Sequence, residues 1–588
     1  MLVVFLLTVG LVYFGCIDTQ INGLFHDDGV YVSTAKALAE GRGYVLGHLV
    51  GTPPQLKYPI FYPAVLSVVW QVLPSFPENL WWLTAVSSTA ALAALLLFYL
   101  YLRRVAAWPM WAALLPVGFT AGSAYFLFVM NATLSEGLFL LLTVLTVGLA
   151  DWQQQTTQNT GEWSASQQRL WQGLLIILSA LCFHTRTFGI VVLLAIGSYY
   201  MLNRQWKNAW RYTVGTSLLS WIPWAVWGFW HRHAYPREGG PPTQNYEPYL
   251  LELQHNLAEG GLLQAFQATL AQLVSSTSEL MAPLVHNFFV LFPTPELSGN
   301  LWLVRGLLAL DILLSYALAG YFMLRAVEAI RLKRWRIPGL YLGFYILLVW
   351  LWHYENQVMR FMLIALPWLW FYLLAPLVNG WSAKRYPRLA KSILILVSLA
   401  SIVPIPQYVE GVQALRQQHQ MDNGRNPWLW SEYQAAIGYI RRHIPTWVPV
   451  AARSDTLFGL YTGHRTFLLT NVALEKTGAN QRFTPESARL TLERMIQHRV
   501  QALVLEPHLQ NFDLVAPVES GAWFVVGCYP QHFSPIYQSP NHLITILQFH
   551  PKPKPTNQPN RKPYLELPWG RSTCPYEKMP AIQRAKAK

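Results

Sequence analysis

Apolar residues along this chain gather into runs of membrane-spanning length that recur from Met1 to about Gln407, after which the pattern changes. A full crossing needs about 20 predominantly apolar residues. The runs predict eleven spans, near 1–17, 80–102, 108–129, 134–150, 169–184, 187–202, 212–230, 301–324, 338–354, 358–379 and 390–407. Beyond 407, shorter alternating patterns predict helix 431–443, strands 447–452 and 466–470, helix 485–498, strand 501–506, and strands near 522–527 and 543–548. That mixture reads as a small α/β domain. The expected division is therefore a polytopic α-helical domain over 1–407, an α/β domain over 408–550, and a Pro/Lys-rich tail over 551–588 that reads as extended or disordered.

Basic residues orient the spans. They fall after alternate runs: Arg103-Arg104; Arg204, Lys207 and Arg211; Arg325, Arg331, Lys333, Arg334 and Arg336; Lys384, Arg385, Arg388 and Lys391. Placing these clusters inside the cell, as the positive-inside rule directs, puts the first loop (18–79), the 231–300 loop and the C-terminal region outside. The parity depends on residues 60–74, which are apolar but short and carry Pro63, with Pro59 before them and Pro74 at their end. They read as an interfacial helix on the outer surface.

Composition agrees with a membrane protein. Of 588 residues, 53% are hydrophobic and 12% charged, against about 25% charged in an average soluble domain. The net charge of +14 sits largely in the inter-helix loops and the tail, where it sets topology or meets anionic lipid, and it gives no sign of a nucleic-acid partner. Cys16, Cys182, Cys528 and Cys574 show no metal-ligand spacing. An extracytoplasmic Cys528 and Cys574 would be free to form a disulfide or remain thiols. The first segment lacks a small-residue cleavage site, so it is expected to stay as an anchor, and without a leading Lys or Arg it is compatible with a start further upstream.

Against this background two adjacent carboxylates stand out. Asp27 and Asp28 lie just past the first apolar run, in Phe25-His26-Asp27-Asp28-Gly29-Val30-Tyr31. Carboxylates at a bilayer edge are costly there and point to function. One of them also suits an N-cap, because Val30, Thr34 and Leu38 continue as a helical stripe. Glu136 opens a span in Thr133-Leu134-Ser135-Glu136, a spacing that equally fits a capping box or a carboxylate facing the same outer cavity, there to bind an acceptor or share a divalent cation. Arg186 and Arg360 stand at span ends on the same side, and Lys57 precedes Tyr58-Pro59. An arginine near a bilayer surface either snorkels to lipid or grips a phosphate bidentately. Together these residues suit sugar transfer from a polyprenyl phosphate. That reaction needs a carboxylate for the acceptor proton and cations for the departing phosphate, and requires no cofactor.

The acidic pair, the following Tyr31 and helix, Lys57 with Pro59, Ser135-Glu136, Thr185-Arg186 and Arg360-Phe361 together resemble the GT-C superfamily of integral-membrane glycosyltransferases. The nearest branch is that of the protein O-mannosyltransferases and aminoarabinose lipid A transferases. The resemblance implies an inverting transfer of a hexose or pentose from a polyprenyl-phosphate donor to a protein, glycan or lipid acceptor. It places the enzyme in a bacterial plasma membrane, serving the cell envelope from its outer face. It implies Asp27 as catalytic base with Asp28 beside it, and Lys57, Arg186 and Arg360 on the donor phosphate; Tyr31, Tyr58 and Glu136 are expected on the acceptor or substrate side. Two readings from other classes compete: a transporter or flippase for lipid-linked saccharides, which predicts repeat symmetry and mid-bilayer charge, and a non-catalytic assembly subunit.

Overall fold

The computed structural model describes residues 2–17, 22–23, 26–160, 164–231, 281, 284, 301–332, 336–351, 358–382, 392, 429–469, 474–477, 480–483, 485–506, 508–510, 513–515, 521–552, 566–567 and 570–571. The expected span 390–407 and the boundary at 407–408 lie outside the described residues. Helices dominate the first part: α1 (Leu2–Gly15), α2 (Asp27–Ala39), α3 (Phe61–Val72), α4 (Leu80–Arg104), α5 (Met110–Ala121), α6 (Ala124–Met130), α7 (Glu136–Thr160) and α8 (Ala165–Thr185). After a 3-10 turn at Thr187–Gly189 come α9 (Ile190–Leu202), α10 (Trp206–Leu219), α11 (Trp221–Trp230), α12 (Leu301–Leu332), α13 (Arg336–Trp350), α14 (Val358–Met362) and α15 (Leu366–Ser382). By length and composition, two described helices suffice to cross a membrane, Leu80–Arg104 and Glu136–Thr157.

Three of the expected spans are broken, each at a residue that a continuous helix does not favour. Span 108–129 divides into α5 and α6 at Gly122-Ser123, where the Ser123 hydroxyl caps the new helix by accepting from the Phe126 amide at 3.4 Å. Span 212–230 divides at Ser220, three residues before Pro223, which has no amide to bond back into α10. Span 358–379 divides after Met362, where consecutive i to i−3 backbone bonds tighten the chain and Pro367 stands in the first turn of α15. That last break leaves Arg360 on a short, largely buried helix.

The helices meet along small residues. α4 turns Ser87, Ser88, Ala91 and Ala94 inward, and Gly137 of α7 lies so close that a Cβ there would stand 2.2 Å from the Ser87 carbonyl oxygen. Backbones that touch in this way are held by van der Waals packing, the force available between helices in lipid. The contact also fixes the start of α7, where Glu136 stands.

The later residues form α16 (Leu429–His443), β1 (Val450–Ala452), α17 (Asp455–Thr462), β2 (Thr466–Leu468), β3 (Leu474–Thr477), β4 (Asn480–Phe483), α18 (Pro485–Gln497), β5 (Ala502–Leu505), β6 (His508–Gln510), β7 (Asp513–Val515), α19 (Gly521–Cys528), β8 (Phe533–Gln538) and β9 (Thr545–Phe549). Strands β2-β1-β5-β9-β8 make one sheet, parallel across β2, β1 and β5 and antiparallel from β5 through β9 to β8. The expected strand near 522–527 is helix α19. Its residues Ala522, Trp523, Val525 and Val526 are all buried, and a short unbroken apolar run of this kind does not distinguish helix from strand in sequence. Helix α17 and strand β8 were not expected. Cys528 is disulfide-bonded, while Cys16 and Cys182 are thiols.

This sheet is not separate from the first loop. Leu49 bridges Thr466 in parallel at the β2 edge, with the Val50 amide donating to Thr466 O at 3.0 Å and the Thr466 amide to His48 O at 2.7 Å. The first loop and the C-terminal sheet therefore lie on one side of the helix bundle.

Candidate active site

Four charged groups from four segments converge beside the N-terminus of α2. Arg360 donates through Nη1 to Asp27 Oδ2 at 2.8 Å and through Nε to Glu136 Oε1. Arg186 donates through Nη1 to the same Glu136 oxygen at 2.8 Å and to Ser135 Oγ at 3.1 Å. Tyr58 closes the other side, its hydroxyl donating to Asp27 Oδ1 at 2.5 Å. Tyr31 joins through its hydroxyl, 3.0 Å from Ser135 Oγ, and stacks edge-on against Tyr58 and Tyr62 at centroid distances of 5.1 and 5.0 Å.

Local sequence explains how each group arrives. Arg186 has extended backbone (φ −150°, ψ 139°) after α8, so its side chain leaves the helix axis toward α7. The turn that follows requires Gly189, because a Cβ there would stand 2.3 Å from the Phe183 amide nitrogen. The Arg186 guanidinium also lies 5.1 Å from the Phe361 ring centroid, a cation–π contact that holds it over the residue after Arg360. Glu136 is not part of a capping box: the Thr133 hydroxyl pairs with Thr84 at 2.9 Å, and the carboxylate faces the two arginines.

Neither aspartate occupies the N-cap. His26 does, without a side-chain cap, in left-handed backbone (φ 61°) that costs about 1–3 kcal/mol for a non-glycine residue. The two carboxylates then diverge. Asp28 Oδ2 accepts from the Gly23 amide at 2.8 Å, so Asp28 ties the preceding loop to α2, whereas Asp27 meets Arg360.

Electrostatics separate them further. Burial by itself raises the Asp27 carboxyl, but the Arg360 guanidinium and the Tyr58 hydroxyl outweigh it and hold Asp27 below the ordinary carboxylate value. Burial pushes Asp28 up to about 6, with the Gly23 amide pulling only partly against it. Asp27 is thus ionised at neutral pH and 16% exposed, while Glu136 is fully buried beneath the arginines. Arg186 is 12% exposed and Arg360 8%. Among the described residues, Arg360 Nη2 and Glu136 Oε2 are buried without a hydrogen-bond partner.

Of the residues expected at the site, Asp27, Tyr31, Tyr58, Glu136, Arg186 and Arg360 come together in this one network. Lys57 is buried next to Tyr58, its amide bonded to Gln55 Oε1 at 2.9 Å. Ser135, which ties Tyr31 to Arg186, was not expected as a site residue, although it stands with Glu136 among the residues that carry the resemblance. No three or more His, Cys, Asp or Glu side chains gather as metal ligands among the described residues, and the two cluster carboxylates face guanidiniums.

Comparison with known proteins places this fold. No family model matches the chain, and no curated protein matches it in sequence. In structure it is similar to ArnT from Cupriavidus metallidurans bound to undecaprenyl phosphate, at 11% identity and a TM-score of 0.52, covering 93% of this chain and 97% of that one. It is also similar to the Archaeoglobus fulgidus oligosaccharyltransferase in the apo form, at 13% identity and a TM-score of 0.52, covering 99% and 81% respectively. The complex of that oligosaccharyltransferase with zinc and sulfate matches at 14% identity and a TM-score of 0.50, covering 92% and 72%. ArnT, an aminoarabinose lipid A transferase, and the oligosaccharyltransferase are both GT-C glycosyltransferases, and the chain has the GT-C fold.

Proposed function

We propose that the protein is an inverting glycosyltransferase of the membrane, moving a sugar from a polyprenyl-phosphate donor to an acceptor on the outer face. In this reading the bundle crosses the bilayer eleven times, and the first loop and C-terminal region face outward. The contacts between first loop and sheet support placing both on one side, and a disulfide at Cys528 suits an oxidising compartment.

One observation carries the proposal: an ionised, partly open carboxylate, Asp27, held beside two arginines by a buried glutamate. Buried ion clusters contribute little net stability, so a four-charge cluster with perturbed carboxylates points to chemistry. The acceptor hydroxyl attacks the anomeric carbon as the bond from that carbon to the phosphate oxygen breaks. Asp27 takes the acceptor proton. Arg186, Arg360 and Lys57 stabilise the charge left on the phosphate, with the unpartnered Arg360 Nη2 a ready donor. Glu136, expected as an acceptor contact, is assigned instead to holding both arginines in place, and Asp28 to holding the loop before α2. Tyr31 and Tyr58 line the Asp27 side of the site.

Titration of the purified protein with undecaprenyl phosphate and with undecaprenol tests this reading. Preference for the phosphate, lost in Arg360→Ala, is expected. Equal affinity for the phosphate and the neutral alcohol would sink it.

A further inference from the structure

Away from the arginine cluster, a second buried polar chain runs from the C-terminal sheet to α2. Asp455 opens α17 directly after β1 and is fully buried. Its Oδ2 lies 3.2 Å from His48 Nε2, and the other ring nitrogen, Nδ1, is 2.5 Å from Ser33 Oγ on α2. Asp455 Oδ1 stands 3.9 Å from His26 Nε2, on the residue immediately before Asp27. Ser33 and His48 are also buried, so the Ser-His-Asp order has no access for a substrate and is not a hydrolytic triad.

The surrounding packing is interlocked. A Cβ on Gly29 would stand 2.5 Å from Thr456 Oγ1, and one on Gly459 would stand 2.8 Å from His48 Cβ. Gly23, in left-handed backbone at φ 95°, leaves no room beyond the Leu457 backbone, and its carbonyl accepts from Thr456 Oγ1 at 3.3 Å. Asp455 is set in turn by Glu506 at the end of β5, whose Oε1 accepts from the amides of Arg453 and Ser454 at 2.9 and 2.7 Å. The left-handed backbone at His26 needs such support, since strained conformations persist only where their surroundings over-determine them.

We infer that Asp455 of the C-terminal region is a positioning residue for Asp27, fixing helix α2 through His48 and Ser33 next to the His26 turn. The inference rests on the glycosyltransfer reading for what Asp27 does, but the joint itself is a matter of geometry. It makes the C-terminal sheet part of the catalytic assembly rather than an appended acceptor module. A misplacement of about 1 Å at a reacting group can cost on the order of 10²-fold in rate.

The test uses the full-length protein in lipid nanodiscs, comparing wild type, Asp455→Asn, Asp455→Glu and His48→Gln. Hydrogen exchange over residues 26–39 should quicken about tenfold in Asp455→Asn and His48→Gln, with 80–104 and 136–157 unchanged, and Asp455→Glu should restore most of the protection. Turnover of an undecaprenyl phosphate-linked sugar should fall on the order of 10²-fold. Affinity for undecaprenyl phosphate should stay at the wild-type level, because the two arginines stand on other segments. Wild-type exchange over 26–39 in both Asp455→Asn and His48→Gln overturns the inference, as does a loss of protection spread evenly along the chain. If 26–39 loosens as described while the wild type neither binds undecaprenyl phosphate nor turns over its sugar conjugate, the joint stands and the glycosyltransfer reading falls.

Discussion

Arg360 bridges Asp27 and Glu136, giving Nη1 to the first at 2.8 Å and Nε to the second. One guanidinium thereby orients the proposed base and is itself oriented by a glutamate 224 residues earlier in the chain. With Arg186 on the same glutamate oxygen, two negative and two positive groups share a nearly dry space. Removing one member of such a set leaves the rest uncompensated, typically at about 3–5 kcal/mol.

Glu136→Gln is therefore expected to lower the unfolding temperature and to impair transfer together, since both arginines lose their anchor. Fluorescence-monitored unfolding in detergent and release of undecaprenyl phosphate from a sugar conjugate measure the two. A Glu136→Gln protein with wild-type stability and rate shows that the cluster is dispensable.

Asp27→Asn should fold with reduced stability, because Arg360 loses one of its two charged partners, keep the affinity for undecaprenyl phosphate near wild type, and reduce transfer by about 10²–10⁴-fold, the usual contribution of a general base. The amide keeps the shape and an acceptor oxygen but cannot take the proton. Wild-type turnover in this variant removes Asp27 from the mechanism.

Tyr58→Phe takes away a hydrogen bond that helps hold Asp27 ionised. The acid limb of kcat/KM should move to higher pH, because the carboxyl loses a donor that favours its charged form. An unmoved limb means that Tyr58 does not tune the base.

Much of this arrangement was legible in sequence, for identifiable reasons. Six of the expected site residues meet because isolated charges at span ends are rare in an apolar chain and each carries positional information. Helices α2 and α3 were visible from periodicity and proline placement, as were strands β1, β2, β5 and β9, but not their order or direction in the sheet. The separate fates of Asp27 and Asp28 were not, because they depend on where the Gly23 amide and Arg360 arrive in space. The Asp455–His48–Ser33 chain was equally hidden: its members are single polar residues in unremarkable surroundings, and the contact between His48 and Asp455 spans 407 positions. The breaks at Gly122, Ser220 and Met362 were within reach of sequence, since a glycine-serine pair and two prolines mark them, but the length of each apolar run favoured an unbroken span.

Asp28 gives a prediction of opposite sign to its neighbour. Its value of about 6 in the folded protein lies above the ordinary 3.8, so the folded state favours the neutral acid. The stability it contributes is fully present below about pH 4 and is lost as pH rises through 6. Asp28→Asn mimics the neutral acid and can still accept from the Gly23 amide. It should be the more stable protein at pH 8, by up to roughly 3 kcal/mol, with the gap closing toward pH 4. A wild type more stable than Asp28→Asn at pH 8 shows that the charge is favoured.

The two arginines separate phosphate binding from simple attraction to the bilayer. Arg186 and Arg360 use their planar forks to meet Glu136, Ser135 and Asp27 simultaneously, a geometry that a single ammonium does not reproduce. If they also grip the donor phosphate, replacing either with Lys keeps the charge, loses the fork and weakens undecaprenyl phosphate binding along with turnover. Ala at either position should do more damage than Lys. Residues that only snorkel toward bulk lipid accept Lys with little loss, because a point charge suffices at that interface. Titrations of undecaprenyl phosphate on the Arg186→Lys, Arg186→Ala, Arg360→Lys and Arg360→Ala proteins distinguish the cases. Wild-type affinity and turnover in both Lys variants would assign the arginines to the membrane surface and leave the donor phosphate without its proposed grip.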